Sequence, residues 1–199
     1  MYGSDQLIRS EINHFTVRSK RPRIPKYGIP MKVEVSKLPY RPCVGAMILN
    51  ANRQIWIGRR FDAPDDAEGR GTWWQMPQGG IDEGEDAAIA VLREVQEETG
   101  MTSLEILDEI PGWHLYDLPP NLLAKKVWGG KYKGQKQKWF VLRFKGLDSE
   151  VDITAQSGPK AEFDAWRWAH ASELLDVIVP FKRTVYEAVL DEASKLSHI

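Results

Sequence analysis

A chain of 199 residues with 42% hydrophobic and 28% charged positions has the size and composition of one soluble globular domain with a short appendage, and two full domains would be a squeeze. A formal net charge of −1 carries no overall bias toward nucleic acid, although Lys and Arg can still be gathered on one face. The single cysteine, Cys43, excludes an internal disulfide framework and lacks the Cys/His company of a zinc site. No run approaches the roughly 18–20 continuous apolar residues of a membrane helix, so the expectation is a cytoplasmic protein with no membrane attachment.

Residues 1–37 read as a basic, flexible N-terminal arm. The first thirty carry Arg18, Lys20, Arg21, Arg23 and Lys26 with three prolines and little hydrophobic periodicity. A disordered tail, an early start with Met31 as the true first residue, and a nucleic-acid-binding arm are the readings open to it. From Tyr40 the texture changes. Residues 43–49 form a compact apolar run with Cys43 in the core, 50–52 a turn, and 54–58 a second apolar run, which predicts two paired strands. Residues 62–71 are rich in Asp, Pro and Gly and predict a surface loop. Residues 73–76 then predict a short strand running into a Pro77-Gln78-Gly79-Gly80 turn.

The clearest helix spans 86–98, opening after acidic residues as the helix dipole favours and closing on Gly100. Ala88, Val91, Leu92 and Val95 fall at i, i+3, i+4 and i+7 and predict one apolar stripe toward the core. Further strands are expected at 104–110, 138–144 and 165–168. A last amphipathic helix over 181–195 carries Val185, Val189 and Leu190. The class is α+β, with a sheet at least partly antiparallel.

On the first helix, Glu94, Glu97 and Glu98 stand at i, i+3 and i+4 and project from neighbouring positions on its exposed side. Like charges so spaced repel, so a cation is expected between them, and a hard divalent ion such as magnesium takes oxygen ligands of this kind. On these residues alone, a merely solvated acidic face is the alternative. The flanks change that. Gly79, five residues, Glu85, seven residues, and then Arg93-Glu94-Val95-Gln96-Glu97-Glu98-Thr99-Gly100-Met101 match the Nudix box at every fixed position, with Val95 and Met101 in its two aliphatic slots.

The chain therefore resembles the Nudix hydrolases. The resemblance implies a Nudix fold, a mixed β-sheet sandwiched between α-helices, over residues 38–199, with the box at 79–101 forming a loop-helix-loop that binds magnesium or manganese. It implies that Glu94, Glu97 and Glu98 hold the ions and that Glu85 and Arg93 form a structural ion pair, with Gly79 and Gly100 as structural positions of the box. Beyond the box, Tyr40-Arg41-Pro42, Gly58-Arg59-Arg60-Phe61, 74–80, 134–140, 162–168 and Phe181-Lys182-Arg183 are similar to the bacterial RNA 5′-pyrophosphohydrolases and the related dinucleoside polyphosphate hydrolases. Glu162 matches the additional glutamate that this branch supplies as a metal ligand or candidate base.

A polyphosphate needs cations beyond the metal, and Arg41, Arg60, Lys136, Lys138 and Lys182 are the candidates. Lys136 and Lys138 alternate in a strand and face the same way. Trp113, His114, Tyr116 and residues 128–132 precede that strand, and Tyr116 is the foremost candidate for stacking on a base; His114 has no company suggesting a role. Residues 112–132 look more like the dinucleoside polyphosphate side of the branch. The 62–72 loop is longer than in minimal RNA-processing members.

The expected enzyme holds two or three magnesium ions on Glu94, Glu97, Glu98 and Glu162 and hydrolyses diadenosine tetraphosphate-like dinucleotides, 5′-triphosphorylated RNA ends, or both, with Glu98, Glu97 or Glu162 as general base. No stable protein partner is expected. The alternatives are a nucleotide- or RNA-binding module without turnover and a housecleaning enzyme for other nucleoside diphosphate derivatives.

Overall fold

A computed structural model describes residues 34–60, 73–154 and 161–196; residues 1–33 of the basic arm, the 62–72 loop and Phe61 lie outside them, while Val35–Lys37 at the end of the arm form a 3₁₀ turn. The elements run β1 (Tyr40–Leu49), β2 (Ile55–Arg60), β3 (Trp74–Gln75), β4 (Gln78–Gly80), α1 (Ala87–Thr99), β5 (Leu104–Asp117), α2 (Pro120–Ala124), β6 (Gly134–Phe144), β7 (Phe163–Ala169), α3 (Ala171–Val177) and α4 (Arg183–Ser194). The sheet order is β3-β2-β1-β6-β5, with β4 added to β1 and β7 to β2. β1 and β6 are parallel from Tyr40↔Gly134 to Leu49↔Arg143, and the other pairings are antiparallel. The sheet is mixed, and the α+β class stands.

Because successive strand residues point to opposite faces, the two central strands feed two cores. Val44, Ala46, Ile48, Phe140 and Leu142 pack beneath Ala90, Val91 and Val95 of α1. Met47, Leu49, Trp139 and Val141 pack on the other face with Leu174 of α3 and Val185, Tyr186 and Val189 of α4. The result is the helix–sheet–helix sandwich expected of the chain. Cys43 is fully buried, and the thiol is pushed up to about 11, chiefly by that burial. No helix of the described residues is long and apolar enough to cross a membrane.

α1 begins where Asp86 caps it, its carboxylate accepting from the Ala88 and Ile89 amides at 2.8 and 3.3 Å, and ends at Gly100 in the left-handed region, φ +73°. The buried stripe differs from the predicted one. Leu92 is 37% exposed and Ala88 only half-buried, whereas Ala90 and Thr99 are buried beside Val91 and Val95. The packed face is thus turned toward Glu94 and Glu98, and the three glutamates do not share one exposed side.

Other elements also depart from expectation. Residues 78–80, predicted as a turn, form β4 against Cys43–Gly45 of β1. β5 continues past Ile110 through a register break, and α2 and α3 have no counterpart in the sequence reading. The C-terminal helix opens as a 3₁₀ turn at Pro180–Lys182; Tyr186 is buried there, and Leu190 is half-buried.

Candidate active site

β4 lies along the C-terminal half of α1, and this juxtaposition organises the carboxylates. The Gln78 amide donates to Glu98 Oε2 at 3.1 Å. At Gly79 a Cβ would overlap the Glu94 carboxylate, so only glycine lets that side chain lie against the strand. Arg93 is the local anchor: Nε and Nη2 donate to Glu85 Oε1 and Oε2, both at 2.8 Å, and Nη2 also donates to the Gly80 carbonyl at 2.9 Å. Its Nη1 stands 2.9 Å from Glu94 Oε1 and 3.5 Å from Glu97 Oε2. The predicted Glu85–Arg93 pair is present as a two-pronged bridge.

The charges of these glutamates differ accordingly. Arg93 and the Asp82 amide hold the Glu85 carboxyl down to about 2. Burial lifts Glu94 against the pull of Arg93. Burial, then the charge of Glu162, lifts Glu98 well above the ordinary carboxylate range. Glu98 and Glu94 thus face other carboxylates, with Arg60 acting on the first and Arg93 and Arg41 on the second, and the donors are all oxygens, of the kind a hard divalent cation prefers. Among the described residues no three such groups stand close enough to grip an ion as they are placed; Arg93 and the Gln78 amide draw them to other partners. The residues fit the metal in kind.

Beside this acidic edge opens an enclosed cleft of about 400 Å³, lined by Arg41, Arg60, Tyr116, Trp128, Glu162, Phe181 and Lys182 among others. Glu162 is half-exposed, 3.5 Å from Arg60 Nη2. Arg41 lies over the Trp128 ring at 5.6 Å. Lys182 differs from the surface cation expected: it is 4% exposed, donates to Gln75 Oε1 at 3.0 Å, and is lowered to about 7 by burial and then by the charge of Arg60. Tyr116 differs too. It is 7% exposed, packed on Phe181 at 5.5 Å and capped by Lys182 at 5.8 Å, so its ring is a floor rather than an open stacking face.

Lys136 and Lys138 do face the same way, but on the α1 side of the sheet. There they line a second, open cleft of about 680 Å³ with Trp113 and the box loop. Lys138 pairs with Glu109. Arg41 borders both clefts. Sequence reasoning missed a buried amide ladder under the enclosed cleft: Gln137 Nε2 donates to Gln78 Oε1 at 3.1 Å and Gln135 Oε1 at 2.8 Å, and Trp139 Nε1 donates to Gln137 Oε1 at 3.1 Å. Its signal was Gln135 and Gln137 alternating with the lysines, polar residues on the inward register of a central strand. Trp73 and Gln75 were missed as well; their indole and amide nitrogens are buried with no hydrogen-bond partner among the described residues, and Trp73 lines the cleft.

Against known proteins, the family model described as NUDIX domain matches residues 39–189. The RNA pyrophosphohydrolase of Brucella abortus is 53% identical over 160 residues, covering 79% of this chain and 89% of that protein. The RNA pyrophosphohydrolase of Rhodopseudomonas palustris is 49% identical over 160 residues, with 80% and 95% covered. Among solved structures, a MutT protein from Methanosarcina mazei superposes with a TM-score of 0.53 at 22% identity, covering 80% of this chain and 99% of that one. An Ap4A hydrolase from C. elegans does so with 0.53 at 16% identity, covering 78% and 99%. At such identities these two show the shared fold.

Proposed function

The chain belongs to the Nudix family and is a hydrolase of phosphoric anhydride bonds, and from that premise we propose that it removes pyrophosphate from 5′-triphosphorylated RNA ends. The observation that carries the site is the meeting of two surfaces: Glu162, Gln78 and Gly79 line a cleft walled by Arg41, Arg60 and Lys182, and the Glu98 and Glu94 carboxylates lie against Gln78 and Gly79. The choice of RNA is supported by the printed activity of relatives about half identical over most of the chain. A cytoplasmic location goes with that substrate.

Glu94, Glu97, Glu98 and Glu162 would hold two or three divalent ions, magnesium first and manganese as a substitute. When bound, such ions supply a water of lowered pKa and neutralise phosphate charge. The chain's own groups do the positioning. Arg41 and Arg60 offer planar forks to phosphate oxygens, and Lys182 offers a point charge whose proton is loosely held until an anion arrives. Glu85 and Arg93 keep the loop and helix in register, and the Gln78 amide orients Glu98. Trp128 and Phe181 give the cleft apolar walls suited to one nucleoside.

The test is a magnesium-dependent assay of kcat/KM on a short 5′-triphosphorylated RNA and on diadenosine tetraphosphate, with products resolved. Preference for RNA with release of pyrophosphate or successive phosphates supports the proposal. Preference for the dinucleotide with release of ATP and AMP replaces it with a dinucleoside polyphosphate hydrolase. Metal-independent retention of either ligand without product would leave a binding module.

A further inference from the structure

We propose that the open cleft beside the box loop is a docking track for single-stranded RNA, taking nucleotides downstream of a 5′ end held in the enclosed cleft; this rests on the RNA reading above. The first support is the way β5 displays Trp113. Its pairing with β6 passes from Ile110↔Trp139 to His114↔Gln137, so β5 inserts surplus residues there, and Gly112 adopts φ +86° within them. A bulge of this kind re-aims a side chain. It leaves Trp113 41% exposed, while the strand tryptophans Trp56 and Trp139 are fully buried. Exposing a large indole forfeits burial that the fold uses elsewhere.

The second support is charge. The Lys136 and Lys138 ammonium groups lie 4.8 and 5.7 Å from the centre of that ring. Arg41 adds a third cation, and its guanidinium sits beside Gly80, where a side chain would collide with it. The box loop contributes Asp82, Glu83 and Glu85 to the same cleft, of which Glu85 is held by Arg93. Lys136 and Lys138 therefore make a cationic wall around an exposed aromatic face, apart in sequence from the acidic box loop. This fits a strand whose phosphates follow the cationic wall and whose bases stack on the indole.

The third support is continuity: Arg41 borders both clefts, and β4 contributes Gln78 and Gly79 to one and Gly80 to the other, so a chain leaving the enclosed cleft passes Arg41 on its way to Lys136 and to Lys138, which Glu109 holds. Single-strand recognition of this type is expected to be tolerant of base identity, because every base has a face to stack.

The experiment compares kcat/KM for triphosphorylated RNAs of two and eight nucleotides, in the full-length protein with magnesium, for the unaltered chain, Trp113→Ala and Trp113→Phe. The expected result is a preference for the longer RNA of about tenfold, abolished in Trp113→Ala and largely restored in Trp113→Phe. Equal rates on both lengths in the unaltered protein, or a length preference untouched in Trp113→Ala, overturns the track and leaves the RNA activity standing. Hydrolysis of neither RNA, with turnover of diadenosine tetraphosphate lowered in Trp113→Ala, overturns both and assigns the indole to the second base of a dinucleotide.

Discussion

Glu85 and Glu98 lie in one loop-helix segment and are chemically the same residue, yet the fold puts them in opposite states. Glu85 meets Arg93 through two 2.8 Å hydrogen bonds and is held down to about 2. Glu98 is half-buried near Glu162 and Glu94 and is lifted well above the carboxylate range, with the Gln78 amide and the charge of Arg60 only partly offsetting that. A carboxylate gripped by two hydrogen bonds from a guanidinium serves as scaffold; one left chiefly among other carboxylates is suited to a cation from solution. The difference lies in tertiary packing, since each is simply a glutamate of the box.

That contrast can be broken most forcefully at Glu98. Glu98→Gln is expected to lower kcat by at least ~10²-fold in magnesium while leaving the metal-free Tm unchanged or higher, because a charge disfavoured by burial is removed. Retention of most activity would take Glu98 out of the metal site. Magnesium itself should sharpen the contrast next: at a hundredfold excess over Kd it stabilises a single-site binder by about 2.7 kcal/mol. Scanning calorimetry should show a rise in Tm for the natural chain and a much smaller one for Glu98→Gln. An equal rise in both would place the ion elsewhere.

Asp86→Ala separates helix stability from charge. Losing the cap is expected to cost about 1 kcal/mol by urea titration, with kcat/KM staying within about twofold; a larger loss of activity would mean that the start of α1 positions the carboxylates. The smallest effect belongs to Glu85, whose pair with Arg93 is reached and screened by solvent through the more exposed guanidinium. Its folded pKa is depressed from 4.5 to about 2, so its stabilisation is present above the unfolded value and is lost as pH falls through that window. The Tm difference between the natural chain and Glu85→Gln should be greatest near neutrality and vanish toward pH 2. A pH-independent difference would assign the effect to packing alone.

Much of the site was legible because the box is local. The Glu94/Glu97/Glu98 spacing, the Glu85–Arg93 pair, the end of α1 at Gly100 and the shared face of Lys136 and Lys138 all follow from positions close together in the chain. The apolar stripe was not so legible. Ala90 and Thr99 are weakly marked as hydrophobic, and only packing over β1 and β6 selected them above Leu92. β4 was read as a turn because Gln78-Gly79-Gly80 has a turn's composition, and its strand state depends on pairing with distant Cys43–Gly45.

Local spacing was thus sufficient for the family, the mixed class of fold and the Glu85–Arg93 ion pair, since helical periodicity and box positions need no knowledge of what lies across the molecule. Which cations share a cleft was settled only by folding. Strand alternation sent Lys136 and Lys138 to one face while Gln135 faced the other, burial turned Lys182 and Tyr116 into the floor of the enclosed cleft, and a bulge in β5 brought Trp113 to the surface. Contacts between residues far apart in sequence decide burial, and burial decides whether a charge or a ring is available to a substrate.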